Sequence, residues 1–154
     1  MALSPFKSPQ GTTARSGNER RRILYVEDDD VIWEVAEFAL RKDYEITRAR
    51  NARETFDLLS RNKYDLILMD IQLAGSDLDG IAITRLLKGR YDGTTPQYAV
   101  GVSSHGAPII FVTAYTSLYK KDDLERAGGD ERISKPVDFT RLSLAMTRLL
   151  VRDL

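Results

Sequence analysis

The pattern of apolar and polar positions divides the chain into five short segments typical of strands and five longer segments with helical spacing. The predicted strands cover residues 23–26, 44–48, 64–69, 109–112 and 131–134. The predicted helices cover residues 31–41, 51–61, 81–88, 116–127 and 139–152. Strands that alternate with helices predict a parallel sheet joined by right-handed crossovers. The expected fold class is therefore α/β, a doubly wound five-stranded parallel sheet with helices on both faces.

The segment 64–70, which reads Y-D-L-I-L-M-D, shows the strand pattern most clearly. Its apolar residues from Leu66 to Met69 do not alternate with polar ones, as expected for a strand that is buried on both faces of a parallel sheet. Asp70 follows at the carboxyl end of this strand, where open α/β folds bind their ligands. An aspartate that merely ends a strand is also common, so Asp70 alone does not establish a site.

The helical segments and one long connection carry further local signals. Ile32, Val35, Ala36 and Ala39 recur at helical spacing and are predicted to face the core. Either Asp29 or Asp30 is expected to cap the first helix, and Asn51 the second. Residues 89–108 contain four glycines and two prolines. They exceed an ordinary helix-to-strand connection, and we interpret them as an insertion.

Composition and charge limit the classes of protein to which this chain can belong. The absence of cysteine excludes disulfides and thiolate metal sites and favours a reducing, cytoplasmic setting. No apolar run is long enough to span a bilayer, so no membrane partner is expected. Residues 1–21 are predicted to be a disordered basic leader, and residues 1–22 carry a charge balance of +4. The leader is short and lacks interleaved aromatic residues, so no nucleic-acid partner is expected.

Polar groups follow four of the predicted strands. They are Glu27 and Asp28 after the first strand, Asp70 after the third, Thr113 after the fourth and Lys135 after the fifth. If the first strand lies beside the third, these side chains converge on one edge of the sheet. Carboxylates packed together need a cation, and oxygen ligands favour Mg²⁺. A carboxylate beside Mg²⁺, a hydroxyl and a lysine can accept a phosphoryl group. Each residue also has a simpler role: Lys135 as a solvated cap, Thr113 as a strand end, and the first two acids as helix caps.

Taken in order, these residues resemble the receiver domain of two-component response regulators. The resemblance rests on I-L-Y-V-E-D-D, D-L-I-L-M-D-I, I-I-F-V-T-A and I-S-K-P, and it covers residues 22–152. It implies a receiver domain over residues 22–154 and the flavodoxin-like sheet order 2-1-3-4-5. It also implies that Asp70 is the phosphoacceptor, that Thr113 supplies the switch hydroxyl and that Lys135 contacts the phosphate. The implied Mg²⁺ ligands are Glu27, Asp28, Asp70 and the backbone carbonyl of Gln72.

Several features depart from the family pattern. Ala74 replaces the usual proline after the phosphoacceptor, and about two extra residues precede Asp79 and Gly80. Arg132 occupies the switch position where the family has a rotating aromatic residue. The insertion at about residues 89–108 has no counterpart in the compact pattern. No DNA-binding segment follows the last helix, which leads us to expect a single-domain protein.

The expected function is that of a single-domain response regulator, a phosphoacceptor that phosphorylates itself rather than a turnover enzyme. Its expected partners are a histidine kinase or histidine phosphotransfer protein and a downstream protein target. The target, or a second copy in a homodimer, would bind the face formed by helix 4, strand 5 and helix 5. An alternative is a phosphorylation-independent interaction module, favoured by Ala74 and Arg132. A Mg²⁺ phosphohydrolase is a third candidate, although Gln72 stands where such enzymes place an acid. His105, in S-S-H-G, is interpreted as loop surface.

Overall fold

The structure is a computed structural model and describes residues 19–114 and 119–152. Most of the predicted leader, residues 1–18, lies outside the described residues. None of the helices in the described ranges is long and apolar enough to cross a membrane. The strands and helices, in chain order, are β1 (Arg21–Val26), α1 (Asp30–Leu40), β2 (Tyr44–Ala49), α2 (Ala52–Arg61), β3 (Leu66–Met69), α3 (Gly80–Leu87), a 3-10 turn (Gln97–Ala99), β4 (Ile109–Thr113), α4 (Lys121–Ala127), β5 (Glu131–Ser134) and α5 (Phe139–Val151).

The five strands form one parallel sheet in the order β2-β1-β3-β4-β5, which confirms the predicted fold class and strand order. Successive residues of a strand point to opposite faces, so each apolar run supplies two cores. On one face, Leu24, Ile67 and Phe111 pack against α2, α3 and α4. On the other face, Ile23, Leu68 and Ile110 pack against α1 and α5, together with the other strand residues that point to this side. The central strands are therefore buried on both sides.

The helix caps follow from short polar side chains at the chain positions where backbone amides lack partners. The Asp29 carboxylate accepts a hydrogen bond from the Ile32 amide, and the Asn51 side chain accepts one from the Glu54 amide. Asp79 caps α3 in the same way. Capping of the first helix thus falls to Asp29, and Asp30 becomes the first helical residue.

Two details of the helices were predicted wrongly. α4 begins at Lys121 rather than at residue 116, and Tyr119 and Lys120 precede it in irregular structure, while residues 115–118 lie outside the described residues. On α1 the buried positions are Ala36 and Leu40, whereas Val35 is 54% exposed and Ala39 is also exposed. This helix carries apolar residues around most of its circumference, so the spacing alone did not identify the packed face.

Candidate functional site

Three carboxylates meet where β1 and β3 end side by side. Val26 of β1 pairs with Met69 of β3, so the residues that follow them are neighbours at the same edge of the sheet. Glu27, Asp28 and Asp70 each present a carboxylate oxygen within 4.8 Å of the others. Glu27 is fully buried and Asp70 is 5% exposed, while Asp28 is half-buried. The cluster therefore opens to solvent on the side of Asp28.

Lys135, which follows β5, reaches across the sheet edge to this cluster. Its ammonium Nζ donates to Glu27 Oε1 at 2.9 Å and to Asp70 Oδ2 at 3.2 Å. The lysine side chain is only 12% exposed. Buried charges are stable only when they are paired, so Lys135 balances part of the negative charge of the cluster.

Burial and neighbouring charges shift the pKa values of Asp70 and Lys135. Burial, and secondarily the charge of Glu27, raise the pKa of the Asp70 carboxyl from 3.8 to about 7, although Lys135 acts in the opposite direction. Burial alone would lower the pKa of Lys135, but the carboxylates of Glu27 and Asp70 outweigh it and raise that pKa. Lys135 is therefore charged at neutral pH. Deprotonating Asp70 costs free energy unless a further cation is present.

The remaining predicted site residues occupy the surrounding edge. Thr113 is fully buried at the end of β4, and its backbone carbonyl accepts a hydrogen bond from the Lys135 amide. Gln72 is exposed in the segment that follows Asp70, and with Asp28 and Ala74 it lines a surface depression. Arg132 lies on β5 and donates to the Tyr119 carbonyl at 3.4 Å, away from the carboxylate cluster. His105 is an exposed loop residue with a positive φ of 55°.

Sequence reasoning missed Arg48, which supports the cluster from the neighbouring strand. Its guanidinium donates from Nε to the Glu27 carbonyl at 2.9 Å and from Nη1 to Asp30 Oδ1 at 2.8 Å. The side chain is 10% exposed, and this ion pair contributes to a lowered pKa of Asp30. A basic residue near the carboxyl end of β2 was the available signal, because β2 lies beside β1 and ends at the same edge of the sheet.

Gly80 allows α3 to begin directly against the backbone of Asp70. A Cβ atom at residue 80 would lie 2.0 Å from the Asp70 carbonyl oxygen and 2.9 Å from Ile71 Cα. The Gly80 amide also donates to the Ile71 carbonyl at 2.7 Å. These contacts fix the separation between the carboxylate cluster and α3, and no side chain larger than hydrogen fits at this position.

Substituting Gly80 with alanine is therefore expected to lower the free energy of unfolding by at least about 2 kcal/mol, because backbone rather than a flexible side chain must move. Urea denaturation measures this change. The comparison variant is Gly75→Ala, where a Cβ meets no atom within 4 Å but φ is +77°, and where only about 1 kcal/mol of backbone strain is expected. Equal losses in the two variants would contradict the close approach at Gly80.

The chain is similar to known proteins of one family. Residues 23–147 match the family model of the response regulator receiver domain. The response regulator protein PilR of Pseudomonas aeruginosa is 32% identical over 136 residues, which cover 87% of this chain but only 27% of PilR. The polar-differentiation response regulator DivK of Brucella anthropi is 30% identical over 122 residues, which cover 79% of this chain and 89% of DivK.

A solved structure gives the same result for the fold. The receiver domain of the sensor histidine kinase PA1611 from Pseudomonas aeruginosa PAO1, crystallised with a magnesium ion coordinated in its active site cleft, superposes with a TM-score of 0.69 at 27% identity. The match covers 86% of this chain and 98% of that domain. With its sheet order, its carboxylate cluster at the edge of β1 and β3, and these relatives, the chain belongs to the response regulator receiver domain family.

Proposed function

We propose that this receiver domain accepts a phosphoryl group on Asp70 from a histidine kinase or histidine phosphotransfer protein. One observation carries the proposal: the Asp70 carboxylate lies within a cluster of three acids and 3.2 Å from the Lys135 ammonium. A nucleophile, a phosphate-binding cation and metal-ligating oxygens are thus in one place. These are the groups that phosphoryl transfer requires.

In this proposal an Asp70 oxygen attacks the phosphorus atom, a P–O bond forms and the P–N bond of the donor phosphohistidine breaks. The departing imidazole keeps the bonding electrons. Lys135 then binds a phosphoryl oxygen while retaining its position at the sheet edge. The Thr113 hydroxyl, at the end of the neighbouring strand, would donate to another phosphoryl oxygen and so transmit the change to β4.

The donor atoms of the site fit Mg²⁺. All three side chains offer carboxylate oxygens, and the cluster includes neither histidine nor cysteine, which matches the preference of hard divalent cations. Glu27, Asp28, Asp70 and the Gln72 carbonyl would hold the ion. Bound there, Mg²⁺ would neutralise charge on the phosphoryl oxygens during transfer. The Glu27 carboxylate also accepts a hydrogen bond of 3.1 Å from the Asp29 amide, and the Asp28 carboxylate accepts one of 3.0 Å from the Ala74 amide. These hydrogen bonds orient both carboxylates.

We place the output surface on α4, β5 and α5. Arg132, the residue at the family's switch position, joins β5 to the segment before α4 through the Tyr119 carbonyl. Its polar guanidinium cannot replace an aromatic ring that turns into the core. Phosphorylation would therefore shift a two-state equilibrium through this hydrogen bond and the Thr113 end of β4. A downstream protein, or a second copy of the chain, would recognise the shifted face.

Acetyl phosphate with Mg²⁺ is expected to add the mass of one phosphoryl group to the wild-type protein. Removing Mg²⁺ with EDTA should slow this reaction at least about tenfold, because three carboxylates then repel the incoming phosphate. Intact-mass spectrometry follows the reaction, and borohydride reduction locates the acyl phosphate at Asp70. An unchanged mass in the presence of Mg²⁺ would contradict the proposal and favour the phosphorylation-independent interaction module.

A further inference from the structure

The segment between α3 and β4, residues 89–108, packs against α2 rather than projecting from the fold. Ala99 is buried in the apolar cluster beneath α2, and Tyr98 and Val102 pack against that cluster. Further along the segment, His105 Nε2 lies 3.3 Å from the Leu59 carbonyl of α2. The segment thus has a fixed position on the surface of α2.

The Tyr98 ring is held on α2 by two contacts. Its centroid is 5.7 Å from that of Phe56, and the Arg53 guanidinium carbon lies 4.7 Å from it. From this position the Tyr98 hydroxyl donates a hydrogen bond of 2.7 Å to Asp77 Oδ2. Partial burial and the Asp77 carboxylate raise the pKa of Tyr98 to about 12. The hydroxyl therefore remains a donor throughout the physiological pH range.

Asp77 belongs to the phosphoacceptor loop, which we define as residues 71–79, between Asp70 and α3. Two further hydrogen bonds join this loop to the carboxylate cluster and to α2. The Ala74 amide donates to Asp28 Oδ2 at 3.0 Å, and Ser76 Oγ accepts from the Ala52 amide of α2 at 3.0 Å. The loop is thus fastened to the carboxylate cluster at one point and to α2 at two, directly through Ser76 and indirectly through Tyr98.

We infer that Tyr98 is a positioning residue that holds the phosphoacceptor loop through Asp77 and so strengthens Mg²⁺ binding by the carboxylate cluster. The inference rests on the proposed function of that cluster. The hydrogen bond between Tyr98 and Asp77 connects the two segments that depart from the receiver pattern, the inserted segment and the lengthened loop. Because Gln72 and Ala74 lie in the same loop, restraining Asp77 reduces the freedom of the Gln72 carbonyl, which we propose as a metal ligand, and of the Ala74 amide, which donates to Asp28.

The first test removes only the hydroxyl, with Tyr98→Phe. In metal-free protein, hydrogen exchange of the backbone amides of residues 71–79 is expected to accelerate about threefold to fivefold, the size of effect of a single net hydrogen bond. The Mg²⁺ concentration that half-saturates the fluorescence change of Trp33, the single tryptophan of the chain, is expected to rise by about the same factor. Tyr91→Phe, which removes a hydroxyl from the same segment, should leave both values unchanged.

The second test asks whether Tyr98 acts through Asp77. Asp77→Ala and the double variant Tyr98→Phe/Asp77→Ala should match Tyr98→Phe in both measurements, because all three lack the same interaction. Asp77→Asn keeps an oxygen acceptor and should restore most of the wild-type behaviour. Additive effects in the double variant, or wild-type values for Tyr98→Phe, would overturn the role of Tyr98. If the fluorescence of the wild-type protein did not respond to Mg²⁺, the proposed function would be overturned instead. Hydrogen exchange of residues 71–79 in metal-free protein would still test whether Tyr98 holds the loop.

Discussion

Replacing Asp70 with asparagine is expected to abolish phosphorylation and, at the same time, to stabilise the metal-free protein. The asparagine amide cannot form an acyl phosphate, so acetyl phosphate should leave the mass unchanged. The stabilisation follows from the raised pKa of Asp70, about 7 instead of 3.8, since each pKa unit corresponds to about 1.4 kcal/mol. Losing the Lys135 contact offsets part of this gain. We expect the free energy of unfolding at pH 8 to rise by about 1–3 kcal/mol.

The pH dependence of this gain has a definite sign. An acid whose pKa is raised by folding binds more protons in the native state, so the stability of the wild type falls as pH rises from about 4 to about 7. Asparagine does not titrate. The advantage of Asp70→Asn is therefore largest above pH 7, shrinks as the pH is lowered, and is lost near pH 4, where the carboxyl is protonated in both states.

Urea denaturation in EDTA across this pH range measures the effect. Asp43→Asn is the matched control, because Asp43 is an exposed carboxylate outside the cluster and its loss should change stability by no more than about 0.5 kcal/mol. A variant that is less stable than the wild type at pH 8 would contradict the account of Asp70. An asparagine variant that still gains a phosphoryl group would move the phosphoacceptor elsewhere.

Replacing Lys135 with alanine is expected to slow phosphorylation of Asp70 by about 100-fold, the usual effect of removing one group that stabilises charge in a transition state. It also leaves Glu27 and Asp70 without the ammonium that contacts both. Breaking a buried ion pair in this way costs about 3–5 kcal/mol, and the 12% exposure of Lys135 places the expected loss near the lower end. Acetyl phosphate labelling and urea denaturation measure the two effects.

Mg²⁺ and a second variant separate the structural role of Lys135 from its role in transfer. Saturating Mg²⁺ should recover part of the lost stability, because it returns positive charge to the cluster. Lys135→Arg keeps the charge and should retain more of both properties than alanine. Lys42→Ala, which removes an exposed lysine, should change neither. If Lys135→Ala were labelled at the wild-type rate, the lysine would have no part in phosphoryl transfer.

Much of the fold could be predicted from local patterns. The apolar run from Leu66 to Met69, ended by Asp70, indicates a doubly buried strand with an acid at the edge of the sheet. The same pattern at Val26 and Glu27 identifies the second such strand. Short capping residues mark the starts of α1 and α2. These features depend on the spacing of apolar residues and on hydrogen bonds between capping side chains and nearby backbone amides. Both are local, so both can be predicted from the sequence.

Other features depend on how neighbouring strands and segments meet. The apolar α1 presents Val35 to solvent and buries Ala36, a choice made by the sheet and by α5 rather than by spacing. The start of α4 at Lys121 also departs from the helical spacing of the sequence. Arg48 contacts Glu27 because β2 pairs with β1. The two residues are far apart in the sequence, so the sequence alone does not indicate this contact.

The spacing of apolar and polar residues predicts the five strands and five helices found in the described part of the chain, and the acids and the lysine that follow the strands can be read from the same pattern. The contacts of Lys135 with Glu27 and Asp70, of Gly80 with the backbone of Asp70, and of Tyr98 with Asp77 are visible only in the folded chain. This difference arises because periodicity and capping act over a few neighbouring residues. A contact between distant residues depends on the register of the strands and the path of the loops, which packing sets only when the whole chain has folded.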